Sequence, residues 1–180
     1  MKTYIALFRG INVGGAHLLP MRELVGVLEN LGLQNVKTYI QSGNVIFQNE
    51  PIKALELSDS ISAAINKSHG FAPRVLLLEL EELEKAVAAN PFPQAESEPK
   101  TLHLYFLASV PQNPDLETLE RMRQGREQFK LREKIFYLFA PDGIGRSKLA
   151  ERAEKSLGVM ATARNWRSVC KIMDLAKQLG

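Results

Sequence analysis

The chain has 180 residues, 45% of them hydrophobic and 24% charged, with a formal net charge of +3. That balance suits one soluble domain or two small halves packed together. No apolar run approaches the roughly 18 residues of a membrane span, Met1-Lys2-Thr3-Tyr4-Ile5 runs into a predicted strand without the apolar stretch of a secretory leader, and the single Cys170 leaves no intrachain disulfide to form, so a cytoplasmic protein is expected.

In chain order, residues 3–9 read as a strand, and the segment Arg9-Gly10-Ile11-Asn12-Val13-Gly14-Gly15 follows it as a glycine loop. Met21, Leu24, Val25, Leu28 and Leu31 recur at helical spacing, with Pro20 suited to the first helical position and Gly32 to the residue past the end. The runs 36–41 and 44–48 flank Ser42-Gly43, which predicts a hairpin closed by a two-residue turn. A second helix is expected over 53–67, a strand over 74–79 and a short helix over 81–89. Residues 90–100 carry three prolines among polar neighbours and read as the linker between a first half, 1–90, and a second, 91–180.

The second half repeats the order. A strand is predicted over 101–107, and a helix over about 115–123 with Asn113 as cap and Pro114 in its first position. Strands near 127–133 and 135–140 precede the turn Asp142-Gly143-Ile144-Gly145, a helix over 147–157 and a strand near 159–164. Asn165 is placed to cap a final helix buried along Val169, Ile172, Met173, Ala176 and Leu179. Cys170, beside that stripe, reads as a small core side chain rather than a nucleophile. The expected class is α+β: two successive β-α-β-β-α-β halves of the ferredoxin-like kind packed as one unit, with extra helices at the linker and the C-terminus.

Charge is uneven. Residues 1–90 hold 8 basic and 9 acidic groups, whereas residues 91–180 hold 15 basic and 11 acidic. Arg121, Arg123, Arg126, Lys130, Arg132 and Lys134 form one basic run, and Arg146, Lys148, Arg152, Lys155, Arg164, Arg167 and Lys171 another. Such runs attract polyanions when unmixed, but Glu127, Glu133, Glu151 and Glu154 interrupt them, as on a solvated helix face.

Four stretches, T-Y-I-A-L-F-R-G-I-N-V-G-G, P-M-x-E-L, T-Y-I-Q-S-G-N-V-I-F and T-A-R-N-W-R-S-V, closely resemble the domain of unknown function 1697 family. The resemblance implies a bacterial-type α/β protein built from two ferredoxin-like halves, and it implies no particular reaction. The closing motif usually has threonine where this chain has Ser168.

Three segments carry chemistry. In the first loop, the amides of Gly10, Asn12, Gly14 and Gly15 suit an anion, with Arg9 as a charged partner, although the spacing matches neither the dinucleotide fingerprint nor the P-loop. In the second, Gly145, Arg146, Ser147 and Lys148 combine a helix start with two cations and a hydroxyl, and Ser147 serves equally as a simple cap. In the third, Arg164 and Asn165 precede Trp166, which either stacks on a base or packs in the core. Asn44 of the hairpin is a further ligand candidate, with turn formation as its plain role. His17, His69 and His103 stand apart, with no metal-ligand spacing, and His17 is the one histidine placed to act as acid or base. The expectation is a cofactor-free cytoplasmic protein that binds a phosphate-bearing small ligand, with no membrane partner. The alternatives are a nucleic-acid-binding module using the basic second half and a metal-independent enzyme.

Overall fold

Alternation along Lys2–Arg9 (β1) sets the first layer. Tyr4, Ala6 and Phe8 point to one face and Ile5 and Leu7 to the other, and all five are buried. The computed structural model describes residues 1–180, with two four-stranded antiparallel sheets and six helices. The chain divides into two compact units, Met1–Lys85 with Lys171–Gly180, and Ala86–Cys170.

The first unit runs β1, α1 (Met21–Asn30), β2 (Gln34–Tyr39), β3 (Asn44–Asn49), α2 (Ala54–His69), β4 (Arg74–Glu79). Its sheet has the order β2-β3-β1-β4, with β1 paired antiparallel to both neighbours. One face of that sheet, through Tyr4, Phe8, Phe47 and Leu77, meets Leu24 and Leu28 of α1 and Leu57, Ile61 and Ile65 of α2. Pro20 stands just outside α1, with ψ 135, rather than in its first position, and its carbonyl accepts from Glu23 and Leu24. Helix α2 stops on Gly70, whose φ of 78 allows the left-handed residue that ends a helix.

The hairpin differs from the sequence expectation. Tyr39 pairs with Asn44, so the turn has four residues, Ile40-Gln41-Ser42-Gly43, rather than two. The cause is Gly43, whose carbonyl accepts the Phe8 amide at 2.8 Å. The chain must pass under the end of β1 before it can rejoin the ladder.

The second unit runs β5 (Leu102–Leu107), α4 (Leu116–Met122), β6 (Gln128–Arg132), β7 (Ile135–Phe139), α5 (Lys148–Leu157), β8 (Ala161–Asn165), in the sheet order β6-β7-β5-β8. Tyr105, Phe136 and Leu138 pack there against Leu119 of α4 and Leu149, Ala153 and Leu157 of α5. The cap of α4 is Asp115, which accepts from the Thr118 amide at 2.9 Å, and not Asn113, which lies too early to reach it. The proline-rich segment holds a 3₁₀ turn, Pro93–Ser97, pinned by buried Phe92, whose ring stacks on Phe139 at 6.0 Å.

Two helices cross the division: α3 (Leu80–Ala88) and α6 (Trp166–Lys177). The residues from Lys171 onward group with the first unit rather than with the rest of 91–180. Gln48 donates to the Leu179 carbonyl at 2.7 Å, and Lys177 pairs with Glu84 at 3.3 Å. No helix is long and apolar enough to cross a membrane.

Candidate functional site

The glycine loop is a small closed structure at the exit of β1. Val13 and Ala16 form an isolated bridge, Ala16 donates to the Val13 carbonyl at 3.2 Å, and Gly14 and Gly15 between them have φ of 60 and 76. Two successive positive φ angles make a tight reversal that suits glycine. Asn12 closes the base of the loop. Its amide donates to the His17 carbonyl at 3.1 Å, and its Oδ1 accepts the Leu19 amide at 2.7 Å. Its Nδ2 donates to the carbonyls of Leu19 at 2.9 Å and Gln41 at 3.0 Å. The Asn12 amide and both ends of its side chain are thus used to shape the loop.

The bond to Gln41 matters because it ties this loop to the hairpin turn, whose Gly43 is already bonded to Phe8. Asn44, fully buried, locks the same turn, with Nδ2 donating to Tyr39 O and Ser42 Oγ, each at 3.0 Å. The two longest motifs of the sequence therefore form one hydrogen-bonded assembly at one end of the first sheet. Backbone strain gathers there, with Asn12, His17 and Ile40 at φ of 54, 50 and 51. For a β-branched residue such as Ile40, this is a true outlier. Strain of this kind persists only where the surroundings impose it, and it concentrates at functional sites.

Two features of this end bear on ligands. Arg9 lies directly opposite Arg74 in the β1–β4 register, and both residues are exposed. His17 is exposed and stacks on Phe71, with ring centroids 4.7 Å apart and planes 12° from parallel, and its Nδ1 lies 3.2 Å from the Gly10 carbonyl. Neither Arg74 nor Phe71 was singled out from sequence, because only the register and the fold bring them beside Arg9 and His17.

In the second unit, Ser147 is buried and its hydroxyl accepts the Ala150 amide at 3.0 Å, as a helix cap does. Gly145, Arg146 and Lys148 around it are exposed. Asn165 caps α6, accepting the Ser168 amide at 2.9 Å. Arg164 is half-buried, donates to the Ala163 carbonyl at 2.9 Å, and is pushed by burial down to about 10. Trp166 is only 6% exposed, which makes it a core side chain rather than an open stacking surface. In the first basic run, Arg121, Arg123 and Arg126 stand within 3.8, 3.1 and 2.9 Å of Glu117, Glu120 and Asp142, which mixes the charge on that face.

His69 has partners that the sequence does not reveal. Its Nδ1 lies 2.7 Å from Ser68 Oγ and its Nε2 2.7 Å from Glu23 Oε2. The Ser68 Oγ also lies 3.0 Å from the Ala64 carbonyl. The set ties the end of α2 to the start of α1. A groove of about 610 Å³ beside it is lined by Val27, Leu31, Ala63, Ala64, Lys67 and Ser68, and none of the sequence-predicted site residues reaches it. No grouping of His, Cys, Asp and Glu side chains is arranged to hold a metal ion.

Among solved structures, the chain is similar to the conserved bacterial protein SP0830 from Streptococcus pneumoniae. The two share 25% identity with a TM-score of 0.74, and the likeness covers 98% of this chain and 99% of that one. No curated protein matches the chain. The family described as "Protein of unknown function (DUF1697)" matches residues 1–137, a span that holds the glycine loop, the hairpin and β1 through β6, with the motif at residues 162–169 lying beyond it. On that match, the chain belongs to the DUF1697 family.

Proposed function

We propose that this protein is a cytoplasmic binder of an anionic, phosphate-bearing small ligand, held at the end of the first sheet by Arg9 and Arg74 with the exposed Gly10, Gly14 and Gly15 backbone beside them. The observation that carries the reading is the Arg9–Arg74 register pair. Two exposed arginines that share a register position bring guanidinium donors to one strand end, and a phosphate offers both guanidiniums paired oxygens. The closed, strained loop beside them supports the same reading, since loops held in costly backbone conformations are often binding elements. Arg146 and Lys148, at the exposed start of α5, are in this proposal a separate anion contact of the second unit alone, while Ser147 and Asn165 serve their helices. We also read each unit as ferredoxin-like, on the β-α-β-β-α-β order and the matching strand orders of the two sheets.

The test is thermal unfolding of the full chain at low salt against inorganic phosphate, sugar phosphates and nucleotides. A ligand at a hundred times its Kd adds about 2.7 kcal/mol, or roughly 5–10 °C at this chain length. Arg9→Ala and Arg74→Ala should each remove most of that rise. No stabilisation by any anion, or full stabilisation in both variants, would overturn the reading.

A further inference from the structure

The loops at one end of the first unit are fastened to one another. Asn12 joins the glycine loop to the hairpin turn through Gln41, and the His17 ring, stacked on Phe71, joins it to the segment between α2 and β4. Three large apolar side chains stand exposed on this assembly: Val13 at 66%, Leu18 at 65% and Ile40 at 52%. Each is the chain neighbour of a residue bonded at the Asn12 side chain, namely Asn12 itself, Leu19 or Gln41. Hydrogen bonds therefore hold their relative positions, where no core does. Ile40 carries two costs at once, a left-handed backbone at φ 51 and apolar surface left in water. An apolar medium covering the side chain would offset both.

Charge gathers at the same end. β1, β2 and α2 finish there, and α1, β3 and β4 begin there, as the pairings of Arg9 with Arg74, Leu7 and Tyr39 with Asn44, and His69 with Glu23 require. Segments 9–23, 37–43 and 67–74 hold five of the eight basic residues of 1–90 and one of its nine acidic residues. Arg22, Lys37, Lys67 and Arg74, all exposed, are four of the five. Acidic residues mark the far ends of the same elements, with Glu29 in the last turn of α1, Glu50 after β3 and Glu79 at the close of β4. The unit is thus polarised, with cations around the exposed apolar tips and carboxylates away from them. A nucleic acid matches the cations but leaves the aliphatic tips in water. A standard protein interface needs about 800 Å² on each partner and a fitted shape, far more than three side chains supply. An anionic bilayer matches both features, because its headgroups attract cations and its acyl boundary takes protruding apolar side chains without a fitted pocket. The sequence alone predicts no membrane partner because no apolar run is long. The tips come from two separate loops, and the bond from Asn12 to Gln41 brings them together.

We propose that this end of the first unit docks on an anionic lipid surface, with Val13, Leu18 and Ile40 in the boundary between headgroups and acyl chains and Arg22, Lys37, Lys67 and Arg74 facing the lipid phosphates. The contact goes beyond the small-ligand reading, since it draws on the apolar tips and the charge of the whole end rather than on the Arg9–Arg74 pair. Each cation near such a surface strengthens binding about five-fold, and salt weakens that share.

The experiment is flotation of the full chain at low salt with vesicles of phosphatidylcholine alone, or of equal parts phosphatidylcholine and phosphatidylglycerol. The expected result is capture by the mixed vesicles and not by phosphatidylcholine alone. The combined variant Val13→Ser, Leu18→Ser, Ile40→Asn changes no charge and keeps a residue tolerant of positive φ at position 40. It should bind at least about ten-fold less, and Leu18→Ser alone several-fold less, which gives a reading even if the combined variant does not fold. Leu55→Ser, which removes an apolar side chain 73% exposed at the acidic end of the unit, should bind like the unaltered chain. No capture by mixed vesicles, equal capture by both vesicle types, or undiminished capture of the Leu18 and combined variants overturns the bilayer contact. Binding to an oligonucleotide tighter than to mixed vesicles, and unchanged in the combined variant, assigns this end to nucleic acid and overturns it as well. The combined variant keeps Arg9 and Arg74, so stabilisation by inorganic phosphate persists in it and the two readings fail separately.

Discussion

The carbonyl of Gly43 accepts the Phe8 amide at 2.8 Å, and a Cβ on residue 43 would stand 2.6 Å from the Phe8 Cβ and 2.7 Å from Ile11 Cδ1. Gly43 also has φ 76. Any side chain there meets two obstacles, left-handed backbone and a packed core. Gly43→Ala should therefore lower stability by about 2–4 kcal/mol, the sum of a left-handed penalty and an overpacking term. Urea unfolding monitored at Trp166 measures it. A loss below about 1 kcal/mol would mean that the turn relaxes away from Phe8.

Asn12 joins the glycine loop to the hairpin through its bonds to Leu19 and Gln41. Asn12→Ala removes those bonds and strands the amide of Leu19, a buried residue, so a loss of about 1–3 kcal/mol is expected. Hydrogen exchange should accelerate at Leu19 and also across residues 40–43 if the two loops form one assembly. Faster exchange in the glycine loop alone would separate them.

Ile40 supplies the opposite sign. It is 52% exposed at φ 51, so it bears a backbone cost with little burial in return. Ile40→Asn should stabilise the chain by roughly 1 kcal/mol, because asparagine tolerates the left-handed region. A loss of stability in denaturant unfolding would show that the isoleucine side chain is held by contacts that outweigh the strain.

Acid stability should turn on His103. Burial pulls its pKa down to about 4 from the ordinary 6.5, and its Nδ1 is buried without a partner. The unfolded chain then gains a proton at a higher pH than the folded chain. Its stabilising contribution is complete above pH 6.5, declines as pH falls from 6.5 to 4, and is gone below 4. The window corresponds to on the order of 3 kcal/mol. Urea midpoints measured between pH 7 and 4 should fall less steeply for His103→Gln than for the unaltered chain. Parallel profiles would assign the acid limb to other groups.

The order of elements was legible because each segment announces its own period. β1, β4 and α5 stand where apolar alternation, helical spacing and Gly158 place them. What escaped were relationships set by distant partners. The turn at Ser42-Gly43 reads as two residues until Phe8 claims the Gly43 carbonyl. Asn113 reads as the cap of α4 until the Thr118 amide is found on Asp115. Arg9 is visible as a cation at a strand end, but the strand register alone sets Arg74 against it. His17 looks solitary until Phe71 is brought beneath it, and His69 until Glu23 is.

The grouping of Lys171–Gly180 with the first unit sets an order of assembly. During synthesis the chain emerges from its N-terminus, so all of Ala86–Cys170 leaves the ribosome before the segment that the first unit still lacks. The bond from Gln48 to Leu179 closes a loop of 131 residues, the kind of long-range contact that forms late. The second unit is thus able to complete itself first. The first unit, which bears the candidate ligand site, waits for the last turns of α6. Loss of those ten residues would leave a nascent chain with a finished second half and an open first sheet.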